Sequence, residues 1–366
     1  MKRVHNFSPG PAVLPEPVLR RAQEELLSLP GVGISVLEIS HRSAPFEEIL
    51  RAAEANIRKL LFLPDNFHVL FLQGGSRLQF SMVPMNFMTD AASDYAAPDY
   101  IVTGSWGDYA LKEARRAGPV HVAWDGKPTN YDRLPATESL QLHPDASYVH
   151  FTSNETIQGV QFPTEPETAG VPLVCDASSD FLSRPMDISR YGLIYACAQK
   201  NAGPAGVTIV LLRDDLLSRV SDNLPGMLNY QLHVDNDSRY NTSPVFGIYI
   251  VRLVTDWLLD SFGTLDAMLQ HNREKATLLY DAVDRSDGFY QGHAATECRS
   301  LMNVTFRLAS DELQDQFLQK AAERDLCELK GHRSVGGIRA SIYNAMPMTG
   351  VQTLADFMDE FRADHG

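Results

Sequence analysis

The run Val171-Pro-Leu-Val-Cys-Asp-Ala-Ser-Ser-Asp180-Phe-Leu-Ser-Arg-Pro-Met-Asp-Ile-Ser-Arg190-Tyr-Gly-Leu-Ile-Tyr-Ala-Cys-Ala-Gln-Lys200-Asn-Ala-Gly-Pro-Ala-Gly-Val-Thr-Ile-Val-Leu-Leu212 decides the fold. It holds three short runs that are apolar almost throughout, Leu173 to Asp176, Leu193 to Ala196 and Val207 to Leu212, separated by turn residues. Strands that do not alternate polar with apolar are covered on both faces, which predicts a mostly parallel sheet between layers of helix. The polar residues fall at the ends of the runs: Asp176 closes the first, and Lys200 follows the second, 24 residues further on.

The same alternation extends upstream. Phe67 to Leu72 reads as a strand leading through Gly74-Gly75-Ser76-Arg77 into a helix over Leu78 to Phe87. Tyr100 to Thr103 leads through Gly104-Ser105-Trp106-Gly107 into a helix ending at Arg116, and Val120 to Ala123 and Tyr148 to Thr152 complete seven strands. Helical spacing predicts helices over Glu16 to Leu29 and Phe46 to Leu61, after an arm, Asn6 to Pro11, whose prolines and glycine forbid regular structure. Downstream come helices over Val245 to Leu259 and Leu265 to Val283, then strand, helix, strand, helix over Leu301–Phe306, Asp311–Glu323, Ile338–Tyr343 and Val351–Arg362. The expectation is an α/β domain over residues 16–260 with a mostly parallel seven-stranded sheet, and a smaller α+β domain made of residues 1–15 and 261–366.

Composition excludes several classes of function. With 32 Lys plus Arg against 46 Asp plus Glu, the net charge of −14 disfavours nucleic acid and anionic membranes as partners. Cys175, Cys197, Cys298 and Cys327 are scattered without metal-ligand spacing, as expected of inert thiols and of no metal centre. No signal-peptide core or run of about 18 apolar residues is present, which gives a cytoplasmic expectation.

In open α/β sheets ligands lie beyond the carboxyl ends of the strands. Lys200 and Asp176 stand there as the two groups a pyridoxal-phosphate enzyme needs: an amine for the Schiff base, and a carboxylate that keeps the pyridine nitrogen protonated. Ala198, Ala202, Gly203 and Gly206 leave room for a flat ring near Lys200. The glycine turn before Ser76 opens a helix whose free N–H groups suit a phosphate, and Trp106 is placed to stack on a ring. Each signal has a plain structural alternative, a ligand-free turn or a core indole.

Nine motifs remove the ambiguity: Asn-Phe-Ser-Pro-Gly-Pro-Ala (6–12), Ser-His-Arg (40–42), Gly-Gly-Ser-Arg (74–77), Asn-Glu-Thr-Ile-Gln-Gly (154–159), Asp-Ala-Ser-Ser (176–179), Ser-Arg-Pro (183–185), Ala-Gln-Lys-Asn-Ala-Gly-Pro-Ala-Gly (198–206), Tyr-Asn-Thr (240–242) and the run from Lys330 to Ala345. In this order they resemble the phosphoserine aminotransferases, within the class V group of fold-type-I pyridoxal enzymes. The resemblance implies Lys200 as the Schiff-base lysine, Asp176 as partner of the pyridinium nitrogen, Trp106 as the stacking ring and Thr156 as donor to the ring hydroxyl. It implies a phosphate held by Ser76, Arg77 and Gln199, with Asn241 and Thr242 from the second subunit of a homodimer. Arg339 resembles the arginine for the α-carboxylate. His41, Arg42, Arg77 and His332, with Arg333 of the partner chain, resemble the group that receives the substrate's phosphate or distal carboxylate. The implied reaction is ping-pong, from L-glutamate and 3-phosphohydroxypyruvate to 2-oxoglutarate and O-phospho-L-serine in serine biosynthesis. It extends to formation of 4-phosphohydroxy-L-threonine in pyridoxine biosynthesis.

The chain departs from the family at Pro9, where some members carry a serine, at Ser76 in place of glycine, and at Asp180, where a neutral residue is expected. The competing readings are another class V enzyme, an alanine:glyoxylate aminotransferase or a desulfurase with Cys298 as its thiol, and a phosphate-ligand-binding protein without catalysis.

Overall fold

The computed structural model describes residues 3–88, 97–221 and 223–366. The apolar runs become seven strands of one sheet: β1 (Phe67–Leu72), β2 (Asp99–Val102), β3 (His121–Asp125), β4 (Val149–Thr152), β5 (Leu173–Asp176), β6 (Tyr191–Cys197) and β7 (Thr208–Arg213). Their order is β1-β7-β6-β5-β4-β2-β3, and β7 alone runs against its neighbours. Successive side chains of a strand point to opposite faces. Cys175, Ile194 and Ile209 accordingly join one core, and Val174, Leu193 and Val210 another.

Helices α1 (Glu16–Glu25), α2 (Ala44–Leu61), α3 (Gly75–Phe87), α4 (Ser105–Ala117) and α5 (Val245–Ser261) cover the two faces. Phe46 and Ile49 of α2 with Ile248 and Val251 of α5 close the first core, and Phe80 of α3 with Ala110 of α4 closes the second. Each of the Phe, Ile and Val side chains so removed from water contributes about 1.5–3 kcal/mol. Two of the boundaries that differ from expectation have a local cause. Helix α1 stops at Glu25 rather than Leu29, because Leu29 donates to Ile34 O (2.8 Å) in a glycine turn and Leu27 is left 88% exposed. Helix α3 starts three residues early, at Gly75, because Gly74 takes a φ of 90° and turns the chain at once.

After α5 come α6 (Leu265–Asp284), α7 (Asp311–Glu323) and α8 (Met348–His365), packed on an antiparallel sheet of β8 (Gln291–Gly292), β9 (Asn303–Arg307) and β10 (Ile338–Ser341). Their core takes Phe7 from the N-terminal arm, and His5–Asn6 pairs parallel with Leu326–Cys327. Helix α6 joins the two parts, since its Leu265 and Met268 pack on the large core and its Ala276 and Leu279 on the small one.

Buried Lys275 of α6 extends Nζ to four carbonyls, Ile342 O (3.0 Å), Tyr343 O (2.7 Å), Asn344 O (3.4 Å) and Met346 O (3.2 Å). Burial pushes its pKa down to about 7, whereas four oxygens that can only accept favour the ammonium. The turn so held follows β10 and carries Tyr343, whose hydroxyl donates to Pro9 O (2.7 Å) and thereby fixes the arm. Among the described residues no helix is long and apolar enough to cross a membrane.

Candidate active site

Five strand ends meet at one cleft of about 380 Å³, lined by Pro9, Gly10, Gly74 to Arg77, Trp106, Thr156, Ile157, Asp176, Ser178, Cys197, Gln199, Lys200, His332 and Arg339. Nine of the residues singled out in the sequence are brought together there: Ser76, Arg77, Trp106, Thr156, Asp176, Gln199, Lys200, His332 and Arg339. A larger hollow of about 490 Å³ lies behind the arm near Trp257 and His271 and contains none of them.

Lys200 follows β6 in a tight turn, with Gly203 N–H on Ala198 O at 2.8 Å. Its Nζ donates to Thr156 Oγ1 at 2.9 Å and stands 5.6 Å from the centre of the Trp106 ring. Burial pulls its pKa down, but Tyr343, Cys197, Asp176 and Glu155 together outweigh burial and raise it. Asp176 is raised in turn, chiefly by burial, with Lys200 and Ser178 acting to lower it. The N-terminal arm closes the same space: a Cβ on Gly10 would lie 3.5 Å from Lys200 Cγ.

A chain of short hydrogen bonds joins the glycine turn to this carboxylate. Ser76 Oγ meets Ser178 Oγ at 2.6 Å, and Ser178 donates to Asp176 Oδ1 through both Oγ (2.5 Å) and N–H (2.9 Å). The hydroxyl gained at Ser76 is therefore used. Ser178 was quoted in a motif without a role; its partner Ser76 lies 102 residues away, a distance local pattern does not span.

Glu155 is the second residue that local pattern missed. Its buried carboxylate accepts from Trp106 N–H (3.0 Å) and Gly107 N–H (2.8 Å), so it caps the start of α4 and fixes the indole. The approach demands glycine at 104, where a Cβ would sit 2.4 Å from Glu155 Cδ. Burial pushes the Glu155 pKa up to about 7 against the two N–H donors and Lys200. A carboxyl with a higher pKa folded than unfolded favours folding while protonated, so that contribution is whole below its ordinary 4.5 and is lost as pH rises through about 7. Glu155→Gln is expected to flatten this fall in stability, worth at most about 3 kcal/mol, as read from urea midpoints across the same pH range.

The cations differ in their surroundings. Arg77 lies over aromatic rings, 4.1 Å from the centre of Tyr109 and 5.5 Å from that of Trp106. Arg339, on β10 opposite Thr305, is 6% exposed, and its Nε has no hydrogen-bond partner among the described residues. Burial holds its pKa below the ordinary arginine value. His332 accepts at Nδ1 from Ser334, and burial, then Arg339 and Arg333, hold its pKa down.

The remaining residues lie elsewhere. His41 and Thr242 line a separate surface hollow of about 420 Å³, and Arg42 Nε reaches His41 Nε2 at 3.3 Å. Asn241 Nδ2 donates to Gln73 Oε1 at 2.9 Å, behind the glycine turn. Arg333 is exposed and outside the cleft. Asp180 is buried and held by Ser153 Oγ, Gln161 Nε2 (3.1 Å) and the Arg184 guanidinium (3.5 Å), which accounts for a charge at that position. Cys298 is buried and its thiol is pushed up to about 11, which disfavours it as a nucleophile.

The donor set fits pyridoxal phosphate. A lysine amine and a carboxylate face one slot, a buried indole Nε1–H without a partner among the described residues flanks it, and a helix start bearing Ser76 and Arg77 stands beside it. The model of the family "Aminotransferase class-V" matches residues 4–354. The chain is 55% identical over 361 residues to a phosphoserine aminotransferase of Rhodopirellula baltica, covering 98% of this chain and 95% of that one. Among solved structures, the phosphoserine aminotransferase from Bacillus circulans subsp. alkalophilus superposes with a TM-score of 0.96 at 48% identity, covering 100% of both chains. A pyridoxal-phosphate-bound phosphoserine aminotransferase from Trichomonas vaginalis superposes at 0.92 with 40% identity, covering 98% of this chain and 100% of that one. With the fold, the lysine slot and these full-length matches in agreement, the chain belongs to the phosphoserine aminotransferase family of class V aminotransferases.

Proposed function

We propose that the chain transfers the amino group of L-glutamate to 3-phosphohydroxypyruvate, releasing 2-oxoglutarate and O-phospho-L-serine, with pyridoxal phosphate as cofactor. The observation that carries this reading is Arg339: a buried guanidinium whose Nε has no partner among the described residues, in the same cleft as Lys200, calls for a carboxylate. His332 and Arg77 in that cleft support a second anion on the substrate.

When bound, pyridoxal phosphate supplies a carbonyl for amine exchange and a ring that draws electrons from the substrate α-carbon. Lys200 Nζ would anchor the cofactor, and the same amine is the group in the cleft placed to carry the substrate α-proton. Thr156 Oγ1, 2.9 Å from that amine, orients it and would donate to the cofactor's ring hydroxyl. Asp176, steadied by Ser178, holds a proton on the ring nitrogen. Ser76, Arg77 and Gln199 hold the cofactor phosphate, and Arg339 fixes the α-carboxylate. The reaction runs in two halves, glutamate in and 2-oxoglutarate out, then the phosphorylated oxo acid in and phosphoserine out. The same pocket accepts the four-carbon phosphorylated oxo acid of pyridoxine synthesis.

The working unit in this reading is a cytoplasmic homodimer. The position of His41 and Thr242 together outside the chain's own cleft supports a role in completing the cleft of a second copy, with Arg42, Asn241 and Arg333. Residues 16–260 form the cofactor-binding unit and residues 1–15 and 261–366 the smaller one, a division supported by the separate core built around Phe7 and Phe317.

The test is a comparison of amino acceptors. Phosphohydroxypyruvate is expected to exceed pyruvate by about 100-fold or more in kcat/KM, as one phosphate held by charged donors implies. Equal use of the two would refute the phosphate subsite.

A further inference from the structure

Three metal-ligating side chains meet at the edge of the sheet opposite the cleft. Asp99 opens β2, His121 opens β3, and the parallel register pairs them directly. His143 comes from the loop ahead of β4, and its backbone N–H donates to Asp99 Oδ2 at 2.6 Å. Both imidazoles turn Nδ1 to one oxygen, Asp99 Oδ1, at 2.7 Å for His121 and 3.0 Å for His143. The rings lie 76° apart with centroids 4.1 Å from each other, and one donor atom from each of the three residues lies within 4.8 Å of the others. Asp99 is fully buried, His121 is half-buried and His143 is exposed, so the cluster opens to solvent beside His143.

We propose that Asp99, His121 and His143 bind a divalent transition-metal ion of the zinc class. Two imidazole nitrogens with one carboxylate oxygen suit zinc or cobalt(II) better than magnesium or calcium, which prefer oxygen alone. A tetrahedral ion with bonds near 2.0–2.1 Å keeps its donors about 3.3 Å apart, so the Asp99 contacts need to open by only a few tenths of an ångström. The fourth position faces solvent beside His143 and falls to water. One carboxylate and two neutral imidazoles carry a single negative charge, which a dication over-neutralises. As the hydrogen bonds stand, each ring donates Nδ1–H to Asp99. On binding, the Nδ1 lone pair becomes the ligand, and the proton it carried moves to Nε2 of a neutral ring or leaves a charged one for solvent.

The carboxylate is held in place by the His143 N–H on its other oxygen, and the Asp99 main chain by its own N–H on Tyr148 O at 3.0 Å. Such supporting bonds orient ligands in metal sites. The four residues of β2 (Asp99–Val102) separate the cluster from the end of the strand that leads to Trp106, about 10 Å at 3.3 Å per residue. The ion is thus a clasp on β2, β3 and the loop that ends at His143, and takes no part in amino transfer.

The experiment uses tag-free, metal-stripped holoenzyme, titrated with Zn²⁺ by calorimetry and with Co²⁺ by visible absorption. One equivalent per chain, tetrahedral Co²⁺ bands, a Tm that rises with Zn²⁺ and unchanged amino transfer are expected. His121→Asn and His143→Asn each keep a hydrogen-bonding side chain and are expected to weaken binding at least about 10-fold. His143 is exposed, so its variant tests the site even if the His121 variant folds poorly. Absence of stoichiometric binding, binding that survives both substitutions, or binding that inhibits amino transfer would overturn the assignment.

Discussion

Lys200→Ala protein is expected to lose at least about 10³-fold in kcat for amino transfer, the scale of a lost nucleophile that also carries a proton, while its melting curve stays close to that of the parent. Among the described residues the half-buried side chain makes one hydrogen bond, to Thr156 Oγ1, so truncation opens a small space that water can fill from the cleft. The loss is therefore chemical rather than structural. Two further readouts separate the amine from the packing. Added methylamine should restore part of the rate, because a small amine can occupy the vacated space and move the α-proton. Lys200→Arg should not be rescued, because the guanidinium fills that space with a group too basic to give up its charge. Turnover of the alanine protein within tenfold of the parent would remove Lys200 from the mechanism.

The residues that were legible in the sequence share one property: their position is set by the strand they terminate. Asp176 ends β5, Lys200 follows β6 and Trp106 follows β2, so an apolar run and the rule that ligands lie at carboxyl ends were enough to place them at one cleft, while their roles came from the resemblance. Strand boundaries fell within two residues of expectation for the same reason, since a run buried on both faces has sharp polar limits. Glu155 and Ser178 were invisible as functional groups, because each acts on a partner 48 or 102 residues away, and the pairing exists only once the sheet is assembled. Lys275 was hidden more deeply. A charged residue in a charge-rich helix reads as surface, and only packing against the turn after β10 reveals four carbonyls waiting for it. His41 and Thr242 came from resemblance alone, and a single chain leaves them in a hollow of their own.

Arg339→Lys is expected to raise KM for both substrates by about 100-fold, since a bidentate, charge-assisted pair is replaced by a single contact. The two increases should be equal. L-Glutamate and phosphohydroxypyruvate differ at their distal ends but present the same α-carboxylate, and a group that reads only that carboxylate cannot tell them apart. The ratio of kcat/KM between phosphohydroxypyruvate and pyruvate should accordingly stay at its parent value. A group that reads the phosphate behaves otherwise: His332→Ala should leave pyruvate almost unaffected and compress the ratio. The lysine variant also retains the positive charge in a site where burial already works against it, so its loss measures the shape of the guanidinium rather than the field of the cleft. If Arg339→Lys changed the ratio and His332→Ala did not, the two ends of the substrate would lie in the opposite sense to the one proposed.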